Sequence, residues 1–310
     1  MVRIIGPSRG GESDRRFSRA RETNSSVTSA TLIEKCCLIA CPVAGNPTHF
    51  MVEQAFLLAG LDWRFMSFEV DPQELGDAMR GIRALGFRGV KVAEPHQITV
   101  LEYLDELTDR ARLCGSVNCV TSDGSRLLGD NTEGLALVDL VRTHQEVAGT
   151  KAMVIGSGRL ARVLAVALAQ AGAASITVAS RSPESGQRLV SFLEGETSAK
   201  ASLVEYSERE PIKIAADVTL LVNASSLSTA NPAAALPIEL AAQSPRGIVV
   251  DVSYGSPSTW LTQQAAKRGC TVIDGVDLYV AQTALALSTW TGVKPDTAAM
   301  REAAEEFLEL

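Results

Sequence analysis

The sequence predicts an α/β protein, an N-terminal α/β domain followed by a second α/β domain, and three observations predict it. From Lys35 onward, short β-branched runs alternate with longer stretches of helical apolar spacing, the pattern of βα units and a mostly parallel sheet. A chain of 310 residues exceeds what one hydrophobic core usually organises, so two domains are expected. Gly156-Ser157-Gly158-Arg159-Leu160-Ala161 places Gly-x-Gly-x-x-Ala directly between an expected strand and an expected long helix.

Residues 1–33 are rich in Arg, Ser and Gly and lack an apolar h-region, so they read as an unstructured tail and not as a secretory signal. Strands are then expected at 37–40, 63–69, 89–92 and 116–121, with helices over 52–59 and 72–84 between them. An acidic amphipathic helix near 134–145 leads to the second series. This runs strand 151–155, helix 160–171, strand 175–180, helix 183–193, and strands near 218–223, 247–252 and 271–274. Two helices, 282–291 and 296–310, close the chain.

Composition narrows the function classes. Apolar residues at 46% can bury a substantial core, so global disorder is excluded. A net charge of -7 and the lack of a basic or aromatic stripe argue against a nucleic-acid partner. The longest apolar runs are strand-length, far below the ~20 residues of a membrane span, so no membrane partner is expected. Six cysteines, with no histidine at a zinc-ligand spacing, read as reduced structural thiols; no metal and a cytoplasmic location are expected.

The glycine string carries the first chemistry. Gly156 permits the tight turn, Gly158 lets backbone approach a pyrophosphate, and Ala161 lets helix and strand pack closely. The helix N-terminus behind it presents free N–H groups to phosphate. The next strand ends Ser180-Arg181-Ser182 where an acidic residue would read NAD. An arginine there suits a 2′-phosphate, so NADP is expected, with NAD the alternative. Arg159, inside the turn, suits a phosphate contact or a surface position alike.

Further strings agree in order and spacing: Gly115-Ser-Val-Asn118, Gly129-Asp-Asn131-Thr132-Glu133-Gly134, Asn223-Ala-Ser225-Ser226, Asp251-Val252-Ser-Tyr254 and Gly275-Val-Asp-Leu-Tyr-Val-Ala-Gln282. With the glycine turn and Ser180-Arg181-Ser182, they make residues 36 to 308 resemble the shikimate dehydrogenase family, most of all its shikimate dehydrogenase-like branch. The resemblance implies a substrate-binding domain from 34–131 plus the C-terminal helices 279–310, a Rossmann domain over 132–278, and hinge closure on ligand. It implies reversible NADPH-dependent reduction of 3-dehydroshikimate to shikimate. The small-molecule partner would be a hydroxylated cyclohexene carboxylate, and the protein a monomer or homodimer.

The resemblance also implies site residues, and here the sequence departs from it. The family's Asn-Val-Thr-x-Pro-x-Lys reads Lys91-Val-Ala-Glu-Pro-His96-Gln97, so Gln97 stands at the usual lysine, and an amide cannot titrate. Its Asn-Thr-Asp reads Asn131-Thr132-Glu133, which keeps the carboxylate with one added methylene. Lys91 is therefore expected to supply the missing ammonium, with His96 the other titratable neighbour. The carboxylate-binding His-Ser-x-Ser-Pro aligns on Gly45 to His49, leaving Asn46 and Thr48 as donors. Asn118, Tyr254 and Gln282 match substrate-binding positions, and Gly156, Ser157, Gly158, Arg159, Leu160, Ala161, Ser180, Arg181, Asn223, Ser225, Val252 and Gly275 match the cofactor side. Quinate or an aminated analogue as substrate, or a non-catalytic NADP-binding sensor, remain the competing expectations.

Overall fold

The computed structural model describes residues 33–207, 210–240 and 247–310; the expected N-terminal tail, but for Ile33, lies outside the described residues. The first sheet contains β1 (Lys35–Ala40), β2 (Arg64–Glu69), β3 (Gly89–Val92), β4 (Glu106–Leu107), β5 (Cys119–Ser122) and β6 (Leu127–Asp130), in the order β2-β1-β3-β5-β6-β4. Helices α1 (Thr48–Leu58) and α2 (Leu75–Ala84) join the parallel strands β1, β2 and β3, and the short α3 (His96–Thr99) and α4 (Asp109–Cys114) follow β3. The mostly parallel arrangement holds, the exception in this sheet being β5, which runs antiparallel to both β3 and β6. Asp123 sets the β5–β6 reversal: its Oδ1 accepts from Ser125 N at 2.9 Å and Arg126 N at 2.7 Å, closing a tight turn that returns the chain without a crossover.

Helix α5 (Glu133–Arg142) leads to the second sheet, built from β7 (Lys151–Ile155), β8 (Ser175–Ser180), β9 (Lys200–Glu205), β11 (Leu220–Asn223), β13 (Ile248–Asp251) and β14 (Thr271–Ile273). Its order is β14-β13-β11-β7-β8-β9, with every pairing parallel. Helices α6 (Arg159–Gln170), α7 (Pro183–Glu196), α8 (Leu227–Ala230) and α9 (Trp260–Lys267) lie between its strands, while β10 (Ile212–Lys213) and β12 (Ile238–Glu239) pair separately. The chain order of strands reverses between β7 and β11, which makes a crevice at their C-terminal ends.

Helices α10 (Gly275–Thr291) and α11 (Thr297–Leu308) return to the first sheet. Period-two alternation sets its layers. Cys36, Leu38 and Ala40 of β1 face Met51 of α1, Leu287 of α10 and Met300 of α11, while Cys37 and Ile39 face Leu75 and Met79 of α2. The second sheet repeats the device, with Ala152 and Val154 on one face of β7 and Met153 and Ile155 on the other. The expected C-terminal helix at 282–291 begins earlier, at Gly275, because Asp274 caps it by accepting from Asp277 N at 2.8 Å.

Trp290 locks α10 onto the first sheet, donating from Nε1 to Val120 O at 3.0 Å. A Cβ on Gly89 would lie 2.2 Å from the Trp290 ring. Gly89→Ala should therefore cost about 3 kcal/mol, the upper end of overpacking penalties. Chemical denaturation reads this, and an unchanged midpoint would show that the indole can move aside.

Candidate active site

The glycine turn follows β7 at the crevice. Gly156 has φ +114°, and a Cβ there would sit 2.8 Å from Ala224 O, so only glycine lets the turn pass beneath the end of β11. Gly158 faces open space, leaving backbone N–H groups at the start of α6 accessible, and Ala161 is fully buried against the sheet. Leu160 packs on the same apolar cluster. Ser157 Oγ lies 2.9 Å from Ser180 Oγ, tying the turn to the end of β8, beside the exposed Arg181. This cradle fits a dinucleotide, with the exposed Arg181 at its edge.

Four cofactor-side residues shape the crevice through internal contacts. Asn223 Nδ2 donates to Ser228 Oγ at 2.9 Å, and its Oδ1 accepts from Ser225 Oγ at 2.7 Å, so Asn223 and Ser225 fold the loop after β11. Val252 N donates to Asn223 O at 3.1 Å, and a Cβ on Gly275 would lie 2.6 Å from Val252 O. Gly275 is thus required for close approach of α10 to the end of β13.

Lys91 lies at the centre of the first sheet, paired in register with Leu38 and 2% exposed. Its Nζ donates to Gln282 Oε1 at 2.9 Å and lies 5.8 Å from the centre of the Tyr279 ring. Asn118 Nδ2 donates to the same Gln282 oxygen at 2.7 Å, and Asn118 Oδ1 accepts from Thr132 N at 2.8 Å. The ammonium therefore keeps two N–H donors without a partner among the described residues. Burial pulls the Lys91 pKa down to about 8, opposed by the nearby Glu133 carboxylate.

Glu133 opens α5 and is 4% exposed. Arg159 grips it with a fork, Nη1 to Oε2 at 2.7 Å and Nη2 to Oε1 at 3.1 Å. Asn131 Nδ2 donates to Oε2 at 3.2 Å and Gln97 Nε2 to Oε1 at 3.3 Å. Burial pushes the carboxyl up, but the Arg159 charge and hydrogen bonds, joined by the Lys91 charge and the Asn131 amide, together outweigh it and hold the group below the ordinary carboxylate range. The Arg159 backbone stays at the glycine turn, while its terminal nitrogens are engaged by Glu133, and Nη1 also lies 3.2 Å from Ser116 Oγ. Gln97 Oε1 is buried without a hydrogen-bond partner. His96 is absent from this cluster; its Nε2 bonds Val70 O at 2.9 Å in a buried setting that lowers its pKa.

At the far end, Tyr279 OH donates to Asn46 Oδ1 at 2.9 Å and can accept from Thr48 Oγ1 at 2.9 Å. The two expected carboxylate-binding residues are thus joined through a tyrosine that the motif matching passed over. Its spacing of three from Gln282 on one helix, which puts both on one face, is the signal that finds it. The Tyr254 ring lies 4.7 Å from that of Tyr279, and its hydroxyl has no partner among the described residues. Among the described residues no group of acidic, His or Cys side chains could hold a metal, and no helix is long and apolar enough to cross a membrane.

Comparison with known proteins agrees with this geometry. Residues 38–120 match the shikimate dehydrogenase substrate binding domain, and residues 139–254 match the shikimate / quinate 5-dehydrogenase family. A shikimate dehydrogenase (NADP(+)) of Geobacillus kaustophilus is 34% identical over 87% of this chain and 97% of its own. Among solved structures, ligand-free 5-ketofructose reductase of Gluconobacter is 32% identical with TM-score 0.84, covering 88% of this chain and 98% of its own. The Thermus thermophilus shikimate 5-dehydrogenase, solved with NADP(H) and shikimate, is 27% identical with TM-score 0.77, over 89% of this chain and all of its own.

Proposed function

The chain belongs to the shikimate dehydrogenase family, and from this premise we propose that it catalyses the reversible NADP-dependent interconversion of shikimate and 3-dehydroshikimate, with Lys91 exchanging the proton. In this reading residues 34–131 and 279–310 bind substrate, residues 132–278 bind the dinucleotide, and the protein acts in the cytoplasm as a monomer or homodimer. The carrying observation is a buried ammonium with two unused donors at Lys91, beside Glu133, together with a buried amide oxygen lacking a partner at Gln97, which bonds the same Glu133. Unpartnered buried donors and acceptors around one carboxylate suit a ligand that offers several hydroxyls.

When bound, the dinucleotide supplies or accepts the hydride. Lys91 donates a proton to the oxygen that becomes the hydroxyl and recovers it in the reverse direction. Gln282 and Asn118 hold the Lys91 ammonium in place. Gln97 Oε1 accepts from a ring hydroxyl, and the Asn46 amide and Tyr254 hydroxyl donate to the carboxylate.

A second reading, reduction of an uncharged polyhydroxy ketone, is favoured by the neutral donors at Asn46, Thr48 and Tyr279 and by the likeness to 5-ketofructose reductase. Initial rates decide. NADP+ reduction with shikimate supports the first reading, whereas NADPH oxidation confined to 5-ketofructose supports the second. Activity with quinate or an aminated acid alone would change the acid but keep the chemistry. No rate with any of them, with NADPH still bound, leaves a dinucleotide sensor.

Arg181→Ala should lower the preference for NADP over NAD by about 10- to 100-fold, the worth of a hydrogen bond to a charged group. Comparing kcat/KM for the two dinucleotides measures this, and an unchanged ratio would remove Arg181 from 2′-phosphate recognition.

A further inference from the structure

Arg159 belongs to two sites at once. Its backbone is the first turn of α6, immediately after Gly158, and it lines a cavity of about 300 Å³ together with Ser157 and Gly158. Its guanidinium, however, reaches across to Glu133 on α5, in the cluster around Lys91. Only the terminal nitrogens are used there; Nε is buried with no hydrogen-bond partner. One fixed cation thus stands between the turn that suits a pyrophosphate and the carboxylate that faces the Lys91 ammonium.

We propose that Arg159 is a positioning residue that couples dinucleotide binding to the protonation of Lys91. This rests on the reading of Lys91 as the proton-exchanging group. Phosphate charge at the glycine turn draws on the Arg159 guanidinium, and Glu133 is correspondingly less neutralised. The carboxylate then acts more strongly on Lys91, which binds its proton more tightly. Cofactor arrival thereby loads the proton that reduction consumes.

The groups facing this pair leave few other routes. Around Lys91 are Glu133 from α5, Arg159 from α6, Cys119 from β5 and Tyr279 from α10. Burial pushes the Cys119 thiol up to about 12 and the Tyr279 hydroxyl well above its ordinary value, so both stay neutral near pH 8. Cys114, which faces Glu133 and Arg159, is likewise held neutral by burial, at about 11. Glu94 lies 3.9 Å from Arg159, but it is 82% exposed at the rim and screened by solvent. The charges that can respond are Lys91, Glu133 and Arg159.

The test needs no turnover. Calorimetric titration of the full-length protein with NADP+ at pH 8, in two buffers of different ionisation enthalpy, counts protons taken up on binding. The expected uptake is a fraction of a proton, bounded at about one half, because a group with pKa about 8 is already half protonated at that pH. Uptake should vanish in Lys91→Met and in Arg159→Gln. It should be reduced in Arg159→Lys, which keeps the charge without the fork and serves where the glutamine variant binds NADP+ too weakly to titrate. Full uptake in the Arg159 variants, persistence in Lys91→Met, or none in the wild type would each overturn the coupling. A Lys91→Met enzyme that still turns over defeats the reading of Lys91 independently of these counts.

Discussion

Lys91→Met should abolish turnover, lowering kcat by about 10²- to 10⁴-fold, the usual worth of a positioned acid or base. Methionine is one atom shorter but keeps most of the volume, so the strand and the apolar packing against Tyr279 survive. The proton carrier, the bond to Gln282 and the positive charge facing Glu133 and the Tyr279 ring are lost. In the wild type the two directions need opposite forms of Lys91. Reduction needs the ammonium, so its rate falls as pH rises through about 8; oxidation needs the free amine, so its rate rises through the same range. Both limbs should be missing from the residual activity of the variant. A full rate in Lys91→Met would eliminate the assignment.

The same substitution separates chemistry from folding. The Lys91 pKa is lowered from 10.5 in the unfolded chain to about 8 in the native one. Below about pH 8 both states carry the proton and the burial penalty is present in full. Between about 8 and 10.5 the native state sheds its proton first, and stability rises. Lys91→Met should lack that rise and be at least as stable at pH 7, since an apolar side chain of similar volume often stabilises a site built around a buried charge. Thermal unfolding at pH 7 and pH 10 checks both statements.

What was legible in the sequence follows from how local each feature is. The two strands flanking the glycine turn, β7 and β8, lie where their β-branched runs begin and end, because central parallel strands are buried on both faces and read as continuous apolar stretches. The turn itself is legible because φ and close approach admit only glycine at Gly156. Lys91 stands out as a charge inside a short apolar strand, and the fold brings it to Gln282 of α10, 191 residues on.

The rest depends on contacts that no window of sequence contains. Arg159 and Glu133 belong to different helices, and nothing near either residue announces the fork that joins them. The antiparallel hairpin of β5 and β6 is written in Asp123 and Gly124, a signal weaker than the run of buried residues before it. Edge strand β9 carries Lys200, Ser202 and Glu205 and does not read as apolar. His96 follows a proline in an extended-looking loop and suggests exposure, yet the chain folds it against Val70 O.

Glu133→Gln should have the second-largest effect, on stability and on pH dependence together. The amide has the same shape but leaves the largely buried Arg159 guanidinium only the exposed, solvent-screened Glu94, which costs about 3–5 kcal/mol. Glu133 titrates below its unfolded value, so its contribution is present above the unfolded pKa and is lost as pH falls through the native one. The stability deficit of the variant should therefore be full at pH 7 and shrink in acid. Catalysis should move in a direction that the charges fix. Glu133 raises the Lys91 pKa against the effect of burial, so removing its charge drops that pKa below about 8. The falling limb of the reduction rate should then shift to lower pH, with part of the activity recovered near pH 6. A limb that stays where it is would mean that Glu133 holds Arg159 and nothing more, and that the proton at Lys91 is set by burial alone.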